Sequence, residues 1–81
     1  MSDDVERRVQ SILADVFGLD PNDVGPNTST DTVDEWDSLH HLTVVLSLEE
    51  DFGIQLDDEE TVAVVSFPLI VAIVREHLDS G

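Results

Sequence analysis

The sequence predicts a single all-α domain, a small four-helix bundle with three longer helices, one short helix and a long first loop. Apolar residues recur at helical spacing, and helix-capping patterns precede several of these segments. The chain has 81 residues, enough for one modest core, and apolar residues make up 41% of it, more than a disordered acidic tail carries. We therefore treat residues 1–81 as one domain.

The first helix is predicted to begin near Asp3, because Asp3 and Glu6 have the spacing of a capping box. An amphipathic stripe follows at Val5, Val9, Ile12, Leu13 and Val16. Gly18 is expected to end this helix, with Leu19 as the apolar contact that often follows such an end.

Residues 20–36 form a long connector rich in Pro, Asn, Gly, Ser and Thr. Connectors of this length are uncommon in compact domains. We interpret this one as a loop that crosses the length of the bundle and is pinned to the core by Val24, Val33 and Trp36.

The second helix is predicted to start at Asp37 and Ser38 and to end at Gly53. Five apolar side chains are expected to face inward in part: Leu39, Leu42, Val45, Leu46 and Phe52.

Asp57 and Glu60 have the spacing of a second capping box, which predicts a short helix through residues 62–65. A strand at residues 61–65 is the alternative, because β-branched runs are ambiguous. Ser66 is predicted to cap the last helix, with Pro68 in its first turn. The apolar stripe of this helix is Leu69, Ile70, Ile73, Val74 and Leu78.

The net charge limits the kinds of molecule that the protein can bind. Three Lys and Arg residues stand against nineteen Asp and Glu residues, which gives a formal net charge of −16. Such a charge repels nucleic acids and anionic membranes and favours basic protein surfaces, and like-charge repulsion favours a monomer. No apolar stretch has the roughly 20 residues that span a bilayer. The acidic N-terminus lacks the pattern of a secretory signal, so we expect a cytoplasmic protein.

Ser38 is the candidate site, and the residues alone leave two interpretations open. Asp37 or Ser38 can simply cap the second helix. Alternatively, Ser38 is a modified serine, because an anionic ester there would lie against unpaired backbone N–H groups and the positive end of the helix dipole.

Residues 36–42, Trp-Asp-Ser-Leu-His-His-Leu, continue to residues 48–54, Leu-Glu-Glu-Asp-Phe-Gly-Ile. This stretch closely resembles the second helix of the acyl carrier protein family. The first-helix pattern, the Leu-Asp-Pro turn at residues 19–21 and the acidic residues 57–60 fit the same family, so the resemblance covers essentially the whole chain. Departures are Glu35, where many members have Gly, and His40, His41 and Thr43 in turns that are often acidic.

The resemblance implies a non-catalytic carrier. A 4′-phosphopantetheine arm would be transferred from coenzyme A onto Ser38 by a separate Mg²⁺-dependent phosphopantetheinyl transferase. The thiol of the arm would hold acyl groups as thioesters, and the chain has no cysteine that could do so itself. Acyl-loading ligases or transferases and synthases with basic docking surfaces are the other implied partners. Partner recognition is assigned to Asp37, Leu39, Leu46, Glu49, Glu50, Asp51, Asp58 and Glu59.

Several alternatives stay open. The pathway can be polyketide, fatty acid or another specialised synthesis. An amino-acid carrier of peptidyl or D-alanyl type would use the same arm, although Asp37 favours an acyl carrier. A noncovalent acidic interaction module, with Ser38 only a helix cap, is the alternative of another class. His40 and His41 are interpreted as surface or partner-contact residues, because adjacent helical positions point about 100° apart and do not suit one metal ion.

Overall fold

The computed structural model describes residues 3–80 and contains four α-helices. These are α1 (Asp3–Phe17), α2 (Ser38–Phe52), α3 (Asp58–Ala63) and α4 (Phe67–Ser80), and a single 3₁₀ turn (Pro21–Asp23) lies in the first loop. Across the described residues the only β pairing is an isolated bridge between Ser29 and Ser66. The predicted all-α bundle is therefore confirmed, and the alternative of a strand at residues 61–65 is wrong.

One hydrophobic core joins α1, α2, α4 and the first loop. Its buried side chains are Val9, Leu13, Ala14, Phe17, Val24, Val33, Trp36, Val44, Val45, Leu48, Leu56, Val64, Phe67, Ile70, Val71 and Val74. Most of these residues are aliphatic, so the core is formed by close packing of medium-sized side chains.

Glycine ends α1 and α2 as predicted. Gly18 has a φ of 67° and Gly53 a φ of 65°, a left-handed conformation that residues with a Cβ rarely adopt. The N–H of Leu19 donates to the carbonyl of Ala14 at 2.9 Å, the hydrogen bond that closes such an end. At α3, the predicted capping box of Asp57 and Glu60 is present. The capping box predicted at Asp3 and Glu6 depends on the Asp3 side chain, which the structure does not describe.

The first loop crosses the bundle as predicted. Val24, Val33 and Trp36 are buried, and the Trp36 ring packs on Phe17 with ring centroids 5.1 Å apart. Further along, the Thr30 N–H donates to the carbonyl of Val65, and the Phe67 N–H donates to the carbonyl of Thr28. These contacts attach the loop to the α3–α4 junction and bring its end to the start of α2.

The buried face of α2 differs from the predicted one. Val45 is buried and Phe52 is half-buried, but Leu39, Leu42 and Leu46 are 73%, 53% and 53% exposed. Val44 and Leu48 occupy the core instead. Because α2 carries apolar residues on two faces, its periodicity alone did not identify the buried one.

The last two helices follow the prediction with local differences. The predicted short helix extended to residue 65, whereas α3 ends at Ala63, and the chain returns to the core at Val64. In α4, Ile70 and Val74 are fully buried, but Leu69 and Leu78 are almost half exposed. Phe67 and Val71 complete the buried face of this helix.

Two arginines join helices at the surface. Arg8 donates to the Asp51 carboxylate at 2.9 Å and lies over the Phe52 ring, which connects α1 to α2. Arg75 pairs with Glu6 at 3.1 Å, which connects α4 to α1. Within residues 3–80, none of the helices is both long and apolar enough to cross a membrane.

Candidate functional site

Asp37 is the cap of α2. Its backbone is extended, and its carboxylate accepts a hydrogen bond from the His40 N–H at 2.9 Å. The His40 ring lies at the same distance from the same oxygen. The hydrogen bond from the His40 backbone N–H is the main reason that the pKa of Asp37 is lowered from its ordinary value, and the His40 side chain adds to this effect. Asp37 is therefore ionised at neutral pH.

Ser38, the first residue of α2, is exposed. Its hydroxyl makes no hydrogen bond with any residue between 3 and 80. Because Asp37 fills the capping position, the Ser38 hydroxyl is left available to a reagent from solvent. The N–H groups in the first turn of a helix have no intrahelical acceptor. The N-terminal end of α2 therefore also suits an anion attached at Ser38.

An open, shallow depression lies beside Ser38 and is lined by Thr30, Trp36, Asp37, Ser38 and His41. The buried rings of Trp36 and Phe17 lie beneath the start of α2, and His40 stacks on Phe17 with centroids 5.5 Å apart. The rings of Trp36 and His40, two residues before and after Ser38, therefore both pack on Phe17.

His41 has a structural role that the sequence did not reveal. It is half-buried, its Nδ1 accepts from Trp36 Nε1 at 3.2 Å, and its Nε2 donates to the Thr61 carbonyl at 2.7 Å. His41 lies partly at the surface, and the prediction that it contacts a partner stays a prediction, but its two ring contacts within the fold were not predicted. Trp36 lies in the loop before α2, so helical spacing could not predict its contact with His41. Within a helix, only side chains three or four residues apart meet, and these two residues are five apart.

The structure favours neither catalysis nor metal binding at this site. Both histidine rings are hydrogen-bonded elsewhere in the described residues, and neither makes a hydrogen bond to Ser38. Among the described residues, no cluster of three His, Asp or Glu side chains could hold a metal ion.

Exposed apolar side chains lie on two helices, α2 and α3. Leu39 is 73% exposed on α2 and Val62 is 74% exposed on α3, the two highest values among the large apolar residues that the structure describes. Leu42 and Leu46 continue the exposed row along α2. Leu39, Leu42 and Leu46 were all expected from the sequence to face inward in part, and Leu39 and Leu46 were also assigned to partner recognition. The exposure of Val62 was not predicted.

The predicted acidic recognition residues divide into two groups. Glu50, Asp58 and Glu59 are exposed. In contrast, Glu49 accepts a hydrogen bond from the Leu56 N–H at 2.8 Å, and Asp51 is paired with Arg8. The second group therefore stabilises the C-terminal end of α2. Glu50 lies at this same end, so Glu49, Glu50 and Asp51 are all at the opposite end of α2 from Ser38.

Comparison with known proteins agrees with this geometry. Residues 7–66 match a family model described as a phosphopantetheine attachment site. The chain is similar to an acyl carrier protein of Rubrobacter xylanophilus, with 33% identity over 75 residues that cover 93% of each chain. An acyl carrier protein of Thermosynechococcus vestitus is 35% identical over 57 residues, 70% of each chain. Acyl carrier protein 2, mitochondrial, of Arabidopsis thaliana is 32% identical over 74 residues, 91% of this chain and 59% of that one.

Proposed function

Because the chain belongs to the acyl carrier protein family, we propose that it holds acyl intermediates on a 4′-phosphopantetheine arm attached to the Ser38 hydroxyl. The chain is a non-catalytic carrier, and its phosphopantetheine is covalently bound. The attachment residue, the cargo and the pathway are our proposals.

One observation supports Ser38 as the residue to which the arm is attached. It is an exposed serine at the start of α2, its hydroxyl has no hydrogen-bond partner between residues 3 and 80, and it lies within the 7–66 match. Asp37 on its N-terminal side already satisfies the capping position. Modification of Ser38 therefore disrupts no contact that the fold uses.

The residues around Ser38 fit a phosphate ester. The Ser38 Oγ would lose its proton and become the bridging oxygen of the ester, as the pyrophosphate bond of coenzyme A breaks and 3′,5′-adenosine bisphosphate leaves. The ester would lie at the start of α2, where the first-turn N–H groups and the helix dipole favour an anion. The thiol at the far end of the bound arm supplies the sulfur for a thioester. Since the chain has no cysteine, no side chain of its own competes for the acyl group.

The exposed side chains of α2 and α3 support a docking role. We assign partner contacts to Asp37, Leu39, Leu46, Glu50, Asp58 and Glu59. Leu39 and Leu46 supply exposed apolar area, and the carboxylates steer a basic partner. Glu49 and Asp51, which we assigned to partners from the sequence, have contacts within the fold and act indirectly by stabilising the end of α2.

A phosphopantetheinyl transferase and acyl-loading or synthase enzymes are the proposed partners. Attachment to one domain raises the effective concentration of the acyl group at each of their active sites. We propose that the cargo is an acyl group, which the acyl carrier names of the similar proteins support, and that it belongs to fatty acid, polyketide or a related specialised synthesis.

The amino-acid carrier is the competing proposal for the cargo. Loading of the modified chain by an acyl-activating ligase, with no loading by an amino-acid-activating enzyme, would support the acyl proposal. The reverse pattern would replace it.

The cytoplasmic location expected from the sequence stays a prediction, since one similar protein is named as mitochondrial. The monomeric state expected from the high charge is tested by light scattering.

Intact-mass measurement after incubation with coenzyme A, Mg²⁺ and a broad-specificity phosphopantetheinyl transferase tests the attachment. Wild type and Ser11→Ala, which removes an exposed serine from α1, should each gain one arm. Ser38→Ala should gain none. A wild-type chain that remains unmodified would favour the noncovalent interaction module, and a modified Ser38→Ala variant would move the site elsewhere.

A further inference from the structure

α3 is held in place with little help from the core. All six of its residues are described, and none of them is buried. The buried residues nearest to it, Leu56 and Val64, lie just outside its two ends. Since a six-residue helix is not stable alone in water, contacts with its neighbours must fix its position.

Two histidines from different helices provide such contacts. His77 on α4 places Nε2 at 2.8 and 2.9 Å from the two carboxylate oxygens of Glu60. His41 on α2 donates from Nε2 to the Thr61 carbonyl at 2.7 Å. Glu60 and Thr61 are adjacent in α3, so the short helix is attached from both sides at its middle.

The His41 contact also reaches the attachment segment. A carbonyl oxygen only accepts and an indole N–H only donates, so a neutral His41 with its proton on Nε2 satisfies both Thr61 and Trp36. Trp36 precedes Ser38 by two residues and is buried against Phe17. One side chain therefore connects the segment before Ser38, the first turn of α2 and the middle of α3.

We infer that His41 is a positioning residue that fixes α3 relative to Ser38 through the Trp36–His41–Thr61 hydrogen-bond chain. The two most exposed large apolar residues, Leu39 and Val62, lie on the two helices that His41 joins. A transferase that reaches the Ser38 hydroxyl must approach Leu39, the next residue, and His41 determines where Val62 is presented to it. The kinetic part of this inference rests on the proposed function, whereas the structural part does not.

The structural part is tested with His41→Phe and His77→Phe as a matched pair. Both variants keep a ring and lose one attachment of α3, so both should raise amide hydrogen exchange in α3 by about tenfold or more. Only His41→Phe should shift the single indole N–H signal of Trp36. His41→Gln, whose amide offers an acceptor and a donor, should restore part of the α3 protection. Unchanged α3 exchange in His41→Phe would overturn the inference.

Wild-type protein tests the same geometry without any substitution. Nitrogen chemical shifts should identify Nε2 of His41 as protonated and Nδ1 as the bare acceptor. The opposite tautomer would overturn the inference, since neither hydrogen bond would then form. This measurement tests the Trp36–His41–Thr61 hydrogen bonds even if His41→Phe does not fold.

The kinetic part is tested with the transferase. Because His41 does not contact the reacting atoms, His41→Phe should raise the KM for the carrier roughly 3- to 10-fold and leave kcat nearly unchanged. His77→Phe should have a smaller effect, because it leaves the Trp36 contact intact. An unchanged KM together with increased α3 exchange would contradict the role in presentation. If wild type is not modified at all, the proposed function fails, and the exchange and tautomer results still decide the role of His41.

Discussion

The Asp37 carboxylate accepts the backbone N–H of His40 at 2.9 Å, which makes Asp37 the cap of α2. Ser38, the next residue, contributes no hydrogen bond from its hydroxyl to any residue between 3 and 80. The two adjacent residues therefore differ in their contribution to the fold. The aspartate stabilises the helix, and the serine hydroxyl is left exposed.

This difference predicts unequal effects of two alanine substitutions on the free energy of unfolding. Ser38→Ala should change the free energy of unfolding by no more than about 0.5 kcal/mol, because no described contact is lost. Asp37→Ala should be clearly less stable, because it leaves the His40 N–H without its acceptor. Urea unfolding followed by circular dichroism measures both. Equal stability of the two variants would contradict the assignment of the cap.

The lowered pKa of Asp37 predicts a specific pH dependence. Its ordinary value is 3.8, and the folded value lies below this. The ionised group therefore stabilises the fold above the ordinary value, and this contribution is lost as the pH falls through the folded value. Asp37→Asn keeps a capping side chain without the charge. The stability difference between wild type and Asp37→Asn should be constant at neutral pH and should shrink in acid. A difference that grows in acid would contradict the direction of the shift.

Two leucines of α2 test the corrected assignment of its faces. Leu48 is 1% exposed and Leu46 is 53% exposed. Leu48→Ala should lose about 2–5 kcal/mol of stability, as buried leucines do, and Leu46→Ala about 1 kcal/mol or less. In transferase kinetics, Leu46→Ala should raise the KM. A large stability loss in Leu46→Ala would place that residue in the core after all.

The net charge of −16 predicts that salt stabilises the fold. Raising NaCl from about 0.01 M to about 0.5 M should raise the thermal midpoint, because it screens repulsion among the carboxylates. Arg8→Gln removes one of the three cations together with its pair to Asp51. Its stability loss should be larger at low salt than at high salt. A midpoint that falls with added salt would show that attractive ion pairs outweigh the repulsion.

Most of the fold could be predicted from local signals. The glycines at 18 and 53 and the capping box of Asp57 and Glu60 depend on residues close in sequence, and the structure contains all of them. The buried face of α2 was harder to predict. Leu39, Leu42 and Leu46 form one apolar row and Val44, Val45 and Leu48 another, so only the surrounding helices determine which row is buried.

The candidate site was predictable only in part. The Asp-Ser-Leu sequence predicted Ser38 as the site but left open whether Asp37 or Ser38 caps α2, and the structure shows that Asp37 does. The contacts of His41 to Trp36 and Thr61 were not predictable, because Thr61 is 20 residues away and belongs to a different helix. Likewise, the pairing of Asp51 with Arg8 joins residues 43 positions apart, and nothing in the acidic run indicates it.

Fragment-ion mapping of the arm on wild-type protein tests the central claim most directly. After treatment with coenzyme A and a phosphopantetheinyl transferase, the modified peptide is sequenced by tandem mass spectrometry. We predict that the added mass lies on Ser38 alone, with none on Thr43 or Ser47 of the same helix. An arm located on any other residue, or no arm on any peptide, would contradict the account.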